Sequence, residues 1–523
     1  MASAARPASP VAGAAAPPAA DEPLLQVRNQ PLLLVGIMAA SLIQVLDTTI
    51  ANVAIPHMQS SLGATAESVT WVLTSYIIAS AVAMPATGWL SDRVGAKRLF
   101  IFSVVGFILA SMMCGMAQNL GEMVLFRALQ GVSGAFIPPL SQSFMLDTSK
   151  PSRHPQVMAI WGLGIMIGPI LGPILGGWLT ESVNWRWVFY VNLPVGAVAL
   201  AVLLLELPHR EARARKFDLF GFLMLGIALA SLQLLLDRGS QLDWFQSAEI
   251  WLYAILMGSA AWIAVIHFAT GREPLFDTAI FADRNFVIAL IFMLVIGVVM
   301  FANMALLPPM LQRLFGYGVI DTGIVLMPRG VGVMLSMQLS GLLMRRGFDS
   351  RIIVGTGFAI AAYSQWMMAG WSLAADEWHF ITTGLVQGLG LGLVFIPLNV
   401  TAFSTLPGRL RTDGSSLLNL VRSIGASAGI SVTTVLLAKN IQTAHSDIGS
   451  HVTSATVNAV DISMVDRYQA AGEAVLSMID AEVNRQAAMI AYIDDFYLMM
   501  WMALAAIPLV FLMRKASPSA GPR

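Results

Sequence analysis

The chain has 523 residues, 57% hydrophobic and only 11% charged, with a mean hydropathy of +0.72. A soluble domain carries roughly 25% charged residues, so this apolar excess exceeds any core the chain could bury and must face lipid. Basic and acidic side chains cancel at 30 each, which argues against a nucleic-acid partner. The single cysteine, Cys114, lies in an apolar run and excludes a disulfide framework or a thiolate metal cluster.

Residues 1–30 precede the first apolar stretch. Their start is Ala/Pro-rich and lacks the apolar core and cleavage site of a signal peptide, so a disordered cytoplasmic tail is expected. A spanning helix needs about 20 mostly apolar residues. Fourteen stretches qualify, at 32–56, 69–90, 99–118, 122–146, 156–179, 186–206, 216–236, 248–270, 285–312, 320–343, 352–372, 379–405, 413–438 and 490–513. The chain is therefore an all-α polytopic membrane protein. With the N-terminus inside, 21 Lys and Arg fall in inner segments, six in outer segments and three within spans. This bias follows the positive-inside rule loop by loop and places both termini in the cytoplasm. The only long outer loop, 439–489, is polar with scattered apolar residues and predicts short amphipathic helices outside the membrane. Residues 514–523 form a second cytoplasmic tail.

The two ends of the chain echo each other. Ala51-Asn52-Val53-Ala54 in span 1 recurs as Ala302-Asn303-Met304-Ala305 in span 9. Gly88, Arg93 and Arg98 recur as Gly341, Arg346 and Arg351, and Gln130-Gly131 recurs as Gln387-Gly388. The offsets are 251, 253 and 257 residues. Equal orientation in both copies predicts parallel six-helix halves, 31–210 and 276–513, with 211–275 inserted between them as two further spans. A substrate path would lie between the halves near the midplane.

The copies differ in their charges. The offsets place Val298 opposite Asp47 and Gly384 opposite Arg127. Helix rise puts both Asp47 and Arg127 about 22 Å from the inner face. A charge there costs several kcal/mol unless it is paired or faces water. Asp47 is therefore either a proton carrier whose affinity Arg127 tunes, or half of a fixed ion pair. Arg329, after Pro328, and Arg422 either attract an anionic substrate or snorkel toward polar groups. Asp494 and Asp495 open span 14, where carboxylates can cap the helix.

Span 5 carries Gly162, Gly164, Gly168-Pro169, Gly172-Pro173 and Gly176-Gly177. No strand precedes this run, so it is not a nucleotide-binding loop. Small residues four apart give close helix contact, and the prolines bend the helix. The inner turn Gly88 to Arg98 contains Asp92, Arg93, Gly95 and Lys97, and either latches the inner face shut or merely fixes topology. Polar or soft groups that could line a pocket are Gln44, Asn52, Trp71, Tyr76, Gln142, Met166, Asn303, Gln338, Gln365 and Asn399. No HExxH, CxxC or Walker signature is present, which argues against an enzyme or an ATP-driven pump.

Four of these features, in this order, resemble the motifs of the fourteen-helix drug:proton antiporters of the major facilitator superfamily, the EmrB/QacA type. Leu46-Asp47-Thr48-Thr49 through Pro56 is similar to the first-helix motif, and residues 88–98 to the inner-loop motif. Arg127-Ala128-Leu129-Gln130-Gly131 resembles the fourth-helix motif, and the Gly-Pro run of span 5 the antiporter motif. Leu236-Asp237-Arg238-Gly239 with Leu242-Asp243-Trp244-Phe245 is similar to EmrB-type members. The resemblance implies the major facilitator fold and proton-driven export of apolar or amphipathic drugs across the inner (cytoplasmic) membrane. It implies no cofactor beyond the proton gradient. It assigns proton coupling to Asp47 and Arg127, and conformational switching to Gly88, Asp92, Arg93, Gly95, Lys97 and Arg98. Gly164, Gly168, Pro169, Gly172, Pro173, Gly176 and Gly177 carry the export direction. A periplasmic adaptor protein and an outer-membrane channel are implied partners, with 439–489 as the contact. A dedicated exporter of one metabolite or siderophore has the same mechanism and is the alternative.

Overall fold

The computed structural model describes residues 21–65, 67–210, 216–271, 274–451 and 469–514, with side chains from 477 onward in the last segment. Most of the predicted N-terminal tail, the centre of the long outer loop and the C-terminal tail from 515 lie outside the described residues.

The helices are α1 (Gln30–Ser61), α2 (Trp71–Ala83), α3 (Ala96–Met116), α4 (Leu120–Asp147), α5 (His154–Ser182), α6 (Asn192–Glu206) and α7 (Leu219–Arg238). They continue with α8 (Ala248–Thr270), α9 (Arg284–Leu314), α10 (Val319–Arg345), α11 (Ser350–Ala369), α12 (Glu377–Ser404), α13 (Arg411–His451) and α14 (Gln469–Leu509). Thirteen stretches are long and apolar enough to cross a membrane, and one of them, Ser68–Met116, has 49 residues. A straight helix of that length would measure about 74 Å, more than twice a ~30 Å hydrocarbon core. It contains two crossings. The path breaks at the turn Ser91–Gly95, where Gly95 adopts φ 94°, a conformation that side-chain-bearing residues avoid. Helices α2 and α3 then both lie against α4, and the count among the described residues is fourteen.

The internal repeat is visible in the packing. Helix α1 packs on α5 and α6, α2 on α4, and α3 on α4 and α6. Helix α9 packs on α13 and α14, α10 on α12, and α11 on α12 and α14. Each contact in one half has its counterpart eight helices later. Helices α7 and α8 pair with each other, and α7 rests on α2 and α13. Asp218 joins this hairpin at its base, accepting hydrogen bonds from the backbone of Gly221 and Leu275 and contacting His267 at 2.8 Å. Most of α8 faces outward, which its apolar surface suits only in lipid.

Glycine spacing sets how closely α1 and α5 approach. Gly164, Gly168, Gly172 and Gly176 form one stripe against Met38, Val45, Thr49 and Ile50 of α1. Thr49 donates to the carbonyl of Gly168 at 3.2 Å across the contact. The opposite face of α5 meets the other half, with Ile170 and Ile174 against Gly330 and Gly323 of α10. The offset of 257 turns Gly168 and Gly172 into Gly425 and Gly429, which take up Leu294 and Val298 of α9 in the same way. The prolines do not repeat, since Ala426 and Ile430 stand where α5 has Pro169 and Pro173. Close packing is thus common to both halves, and this pair of prolines belongs to α5 and not to its counterpart α13.

Two segments differ from the sequence expectation. Residues 439–451 and 469–489 are unbroken continuations of α13 and α14, where separate short helices are predicted. Both helices have 41 residues, about 62 Å of rise each, so a large part of each stands beyond a ~30 Å core. Asn440 meets Asp494 at 3.3 Å and His445 meets Asp480 at 3.0 Å along this pair. Residues 21–29, expected as part of a disordered tail, are fixed to the body. The Leu25 amide donates to the Asp147 carbonyl at 2.8 Å, and Asn29 N–H to Glu206 at 3.0 Å. Asp21 accepts from the backbone and hydroxyl of Ser152, which together hold its carboxyl below the usual carboxylate range.

A Cβ added at Gly168 would lie 2.8 Å from Val45 and 3.1 Å from the Leu46 backbone, whereas one at Gly177 would meet only Val319 at 3.7 Å. Gly168→Ala is expected to cost about 1–3 kcal/mol through overpacking and to lower the melting temperature of the purified protein. Gly177→Ala is expected to leave it unchanged.

Candidate functional site

Asp47 and Arg127 meet. Arg127 Nη1 lies 2.6 Å from Asp47 Oδ2, and the two residues are 0% and 1% exposed. The other Asp47 oxygen accepts from Gln130 Nε2 at 2.8 Å and from Asn192 Nδ2 at 3.0 Å. Arg127 also donates to the Val72 carbonyl at 3.1 Å and to Gln130 Oε1 at 2.8 Å. Its guanidinium lies over the ring of Tyr76 at 4.5 Å and near that of Phe189 at 5.7 Å. The Tyr76 hydroxyl accepts from Gln44 at 3.2 Å. Ser111 and Cys114 close the far side, through Asn192 at 3.0 Å and Gln130 at 3.6 Å.

Helical phase brings these groups together. Arg127 and Gln130 are three residues apart and share one face of α4. Val72 and Tyr76 are four apart on α2 and shelve the guanidinium. Asn192 is a polar residue at the start of an apolar helix, a signal the sequence offered and its reading did not use. Both carboxylate oxygens and three guanidinium contacts are satisfied by protein, so the charges are enclosed in the first half and do not open on the space between halves.

The equivalent place in the second half has no carboxylate: Val298 and Gly384 stand at the positions of Asp47 and Arg127, and Arg329 packs against Gly384. Gln387, the counterpart of Gln130, is buried with neither amide atom partnered among the described residues. Asn303, the counterpart of Asn52, donates to the Val299 carbonyl at 2.7 Å and contacts the Met499 sulfur at 3.2 Å. Asn52 itself is exposed and bonds only to its own helix at Thr48. Met166 is buried between helices. Asp495, placed by sequence as a cap, is 1% exposed with neither oxygen partnered among the described residues.

Gln142 and Asn399 also meet, with Gln142 Nε2 donating to Asn399 Oδ1 at 2.9 Å. Their separation is 257, the repeat offset, so they are equivalent residues touching at the axis that relates the halves. Asn419 donates to Gln142 at 2.9 Å and Ser415 donates to it as well. Below them, Ser143 pairs with Thr412 at 3.0 Å. Asp147 binds Arg411 of the second half at 2.8 Å and Arg210 at 3.3 Å. Arg210 also reaches the Gly408 carbonyl at 3.2 Å. Ser416 donates to the Met84 carbonyl at 2.6 Å, and Gly88 lies against the Asp413 side chain. These contacts shut the end predicted to face the cytoplasm. The sequence placed Asp147 at the inner end of span 4 but gave no sign of its partners, Arg210 and Arg411, which come from 63 and 264 residues away.

The switch residues lie beside this closure. Asp92 is half-buried in the turn, Arg93 and Arg98 are exposed, and Lys97 donates to the Leu207 carbonyl at 2.6 Å. Gly341, the counterpart of Gly88, meets Pro155 at the start of α5 as Gly88 meets the start of α13. The two inner turns therefore grip the opposite halves in the same manner.

Comparison with known proteins agrees with this architecture. The family model described as Major Facilitator Superfamily matches residues 37–430. The multidrug export protein EmrB of Escherichia coli K12 is 33% identical over 435 residues, 82% of this chain and 84% of its own. The fatty acid resistance protein FarB of Neisseria gonorrhoeae is 32% identical over 492 residues, 92% of this chain and 96% of its own. Among solved structures, the human organic anion transporter MFSD10 (TETRAN) shares the fold, with a TM-score of 0.58 at 14% identity, covering 90% of this chain and 99% of that one. The fourteen crossings, the paired halves and these matches lead to one conclusion: the chain belongs to the major facilitator superfamily and is a multi-pass membrane transporter, not an enzyme.

Proposed function

We propose that the protein is a proton-coupled antiporter that exports apolar or amphipathic compounds across the inner membrane by alternating access. The observation that carries this reading is the enclosed Asp47–Arg127 pair, present in one half only. Its relatives include proteins named for multidrug export and for fatty acid resistance, which supports an exporter of apolar compounds.

Protonation would act through charge balance. While Asp47 is ionised, the pair is neutral as a unit and fits a dry core. A proton on Asp47 leaves Arg127 as an unbalanced cation held by a carbonyl, an amide and two ring faces. Breaking a buried pair in this way costs on the order of 3–5 kcal/mol. That energy would favour a rearranged bundle in which Arg127 finds other partners. With the Lys/Arg bias placing this end in the cytoplasm, the bundle is closed on its inner side. Opening inward requires the contacts of Asp147, Arg210 and Arg411 to part, while the paired glycine stripes keep each half rigid. The projecting parts of α13 and α14 are the surface offered to an adaptor protein.

In proteoliposomes, Asp47→Asn is expected to abolish transport driven by a pH gradient while retaining ligand binding; gradient-driven transport at the original rate would end the proton-carrier assignment. Asp147→Asn is expected to weaken the inner closure by about 1–3 kcal/mol, the usual cost of leaving a buried charge-assisted bond unmade. A cysteine introduced at Ser415 should then become more reactive to a permeant maleimide applied to cells. Unchanged reactivity would show that Asp147 does not hold this end shut. Buried Cys114 supplies little background in that assay.

A further inference from the structure

The meeting of helices that seals Asp47 recurs in the second half with other residues. In the first half, α6 gives Asn192 to Asp47 of α1 and to Ser111 of α3. In the second, α14 gives the Met499 sulfur to Asn303 of α9 at 3.2 Å and to Gln365 of α11 at 3.8 Å. A thioether is only a weak acceptor. Asn303 Oδ1 and Gln365 Oε1 are buried and have no partner among the described residues. The same holds for both oxygens of Asp495, which lies one turn before Met499 on the same face of α14. Four unpartnered acceptor oxygens from three helices are therefore set around Met499, at the junction where the first half has a saturated ion pair.

Among the described residues no cation pairs with Asp495. Its titratable neighbours on α14 are buried Tyr492 and exposed Asp494, and Asp494 meets Asn440 of α13 at 3.3 Å. Arg313, exposed at the end of α9, acts on Tyr492 and forms no bond with Asp495. Helix α11 presents Gln365, and the Trp371 ring beyond its end packs on Phe496. Helix α13 presents Leu437 and Asn440. An ionised Asp495 would thus sit beside a like charge without any of the donors that Asp47 has. A proton removes that charge and requires no cavity. It also turns the carboxyl into a donor, and the oxygens of Asn303 and Gln365 are acceptors on the neighbouring helices. Asp495 lies five residues inside the start predicted for span 14, about 8 Å of helix rise. Exposed Asp494 next to it marks the way to the outer solvent.

We propose that Asp495 is a second proton-binding site, in the half that lacks a counterpart of Asp47, and that its proton exchanges with the outer side beside Asp494. The inference rests on the proton-coupled reading for its role in transport, but the binding of this proton needs neither a gradient nor a substrate.

The test is infrared spectroscopy of the full-length protein in lipid membranes, read at the carbonyl stretch of protonated carboxyls. At neutral pH the wild type should show such a band. It should shift on transfer to heavy water and disappear reversibly as the pH is raised. Asp495→Asn, which copies the shape of the neutral acid, should lose the band. Asp494→Asn and Asp47→Asn should keep it, because those carboxylates are exposed or paired. Asp495→Glu should keep a band at a displaced frequency, which separates loss of the proton site from misfolding. A wild type without the band would overturn the proposal, as would a band that survives in Asp495→Asn or one that heavy water fails to shift. The band without gradient-driven transport in proteoliposomes would leave the site standing and sink the antiporter reading. Gradient-driven transport without the band would do the reverse.

Discussion

A charge inside hydrocarbon must bring its partner with it, and the Asp47–Arg127 pair is organised by that rule. The carboxylate takes three donors and the guanidinium takes a carbonyl, an amide and two aromatic faces. Six side chains are committed to this arrangement, and Ser111 and Cys114 of α3 close it, so α1, α2, α3, α4 and α6 cannot shift singly without exposing a polar atom to a dry interior. The glycine stripe then couples α5 to α1. The polar centre of the first half and its closest backbone contact thus share α1.

The second half is built on the same scaffold with the charges removed. Gly425 and Gly429 repeat the close contact, and Gln387 keeps the amide of Gln130 with no partner among the described residues. Where symmetry holds, the residues set helix spacing. Where it fails, they are available for chemistry, as Asp47 and Arg127 are in the first half. Gln142 and Asn399 sit on the boundary between these categories, since equivalent residues can touch only at the axis. That contact ties the closed end to the geometry of the repeat itself.

Much of this was legible in the sequence because membrane proteins write their constraints in composition. Span length, charge bias and the glycine period come from lipid thickness and backbone satisfaction, which act on every residue. The depth of Asp47 and Arg127 could be read by counting helix rise, and their meeting follows. Other features needed rotation about the helix axis, which hydropathy does not encode in uniformly apolar spans. Asn52 and Asn303 look alike in sequence, yet one is exposed and the other buried. Asp147 is joined to Arg210 of its own half and Arg411 of the other, and no local pattern links them. The extension of α13 and α14 was missed for a different reason: a polar segment of good helix formers reads as loop when judged by hydropathy alone.

Residues 21–30 reach across the closed end. Gln30 bonds the Thr148 carbonyl at 3.3 Å and Ser149 at 2.9 Å, Asn29 meets Glu206, and Leu24 lies against Gly408 of the second half. During synthesis this segment leaves the ribosome before all of its partners. Its hydrogen bonds are with the first half, but Leu24 meets Gly408 only once α12 has been inserted and the residues after it have reached the same side of the membrane. A segment made before α12 thus completes its packing only when both halves have come together.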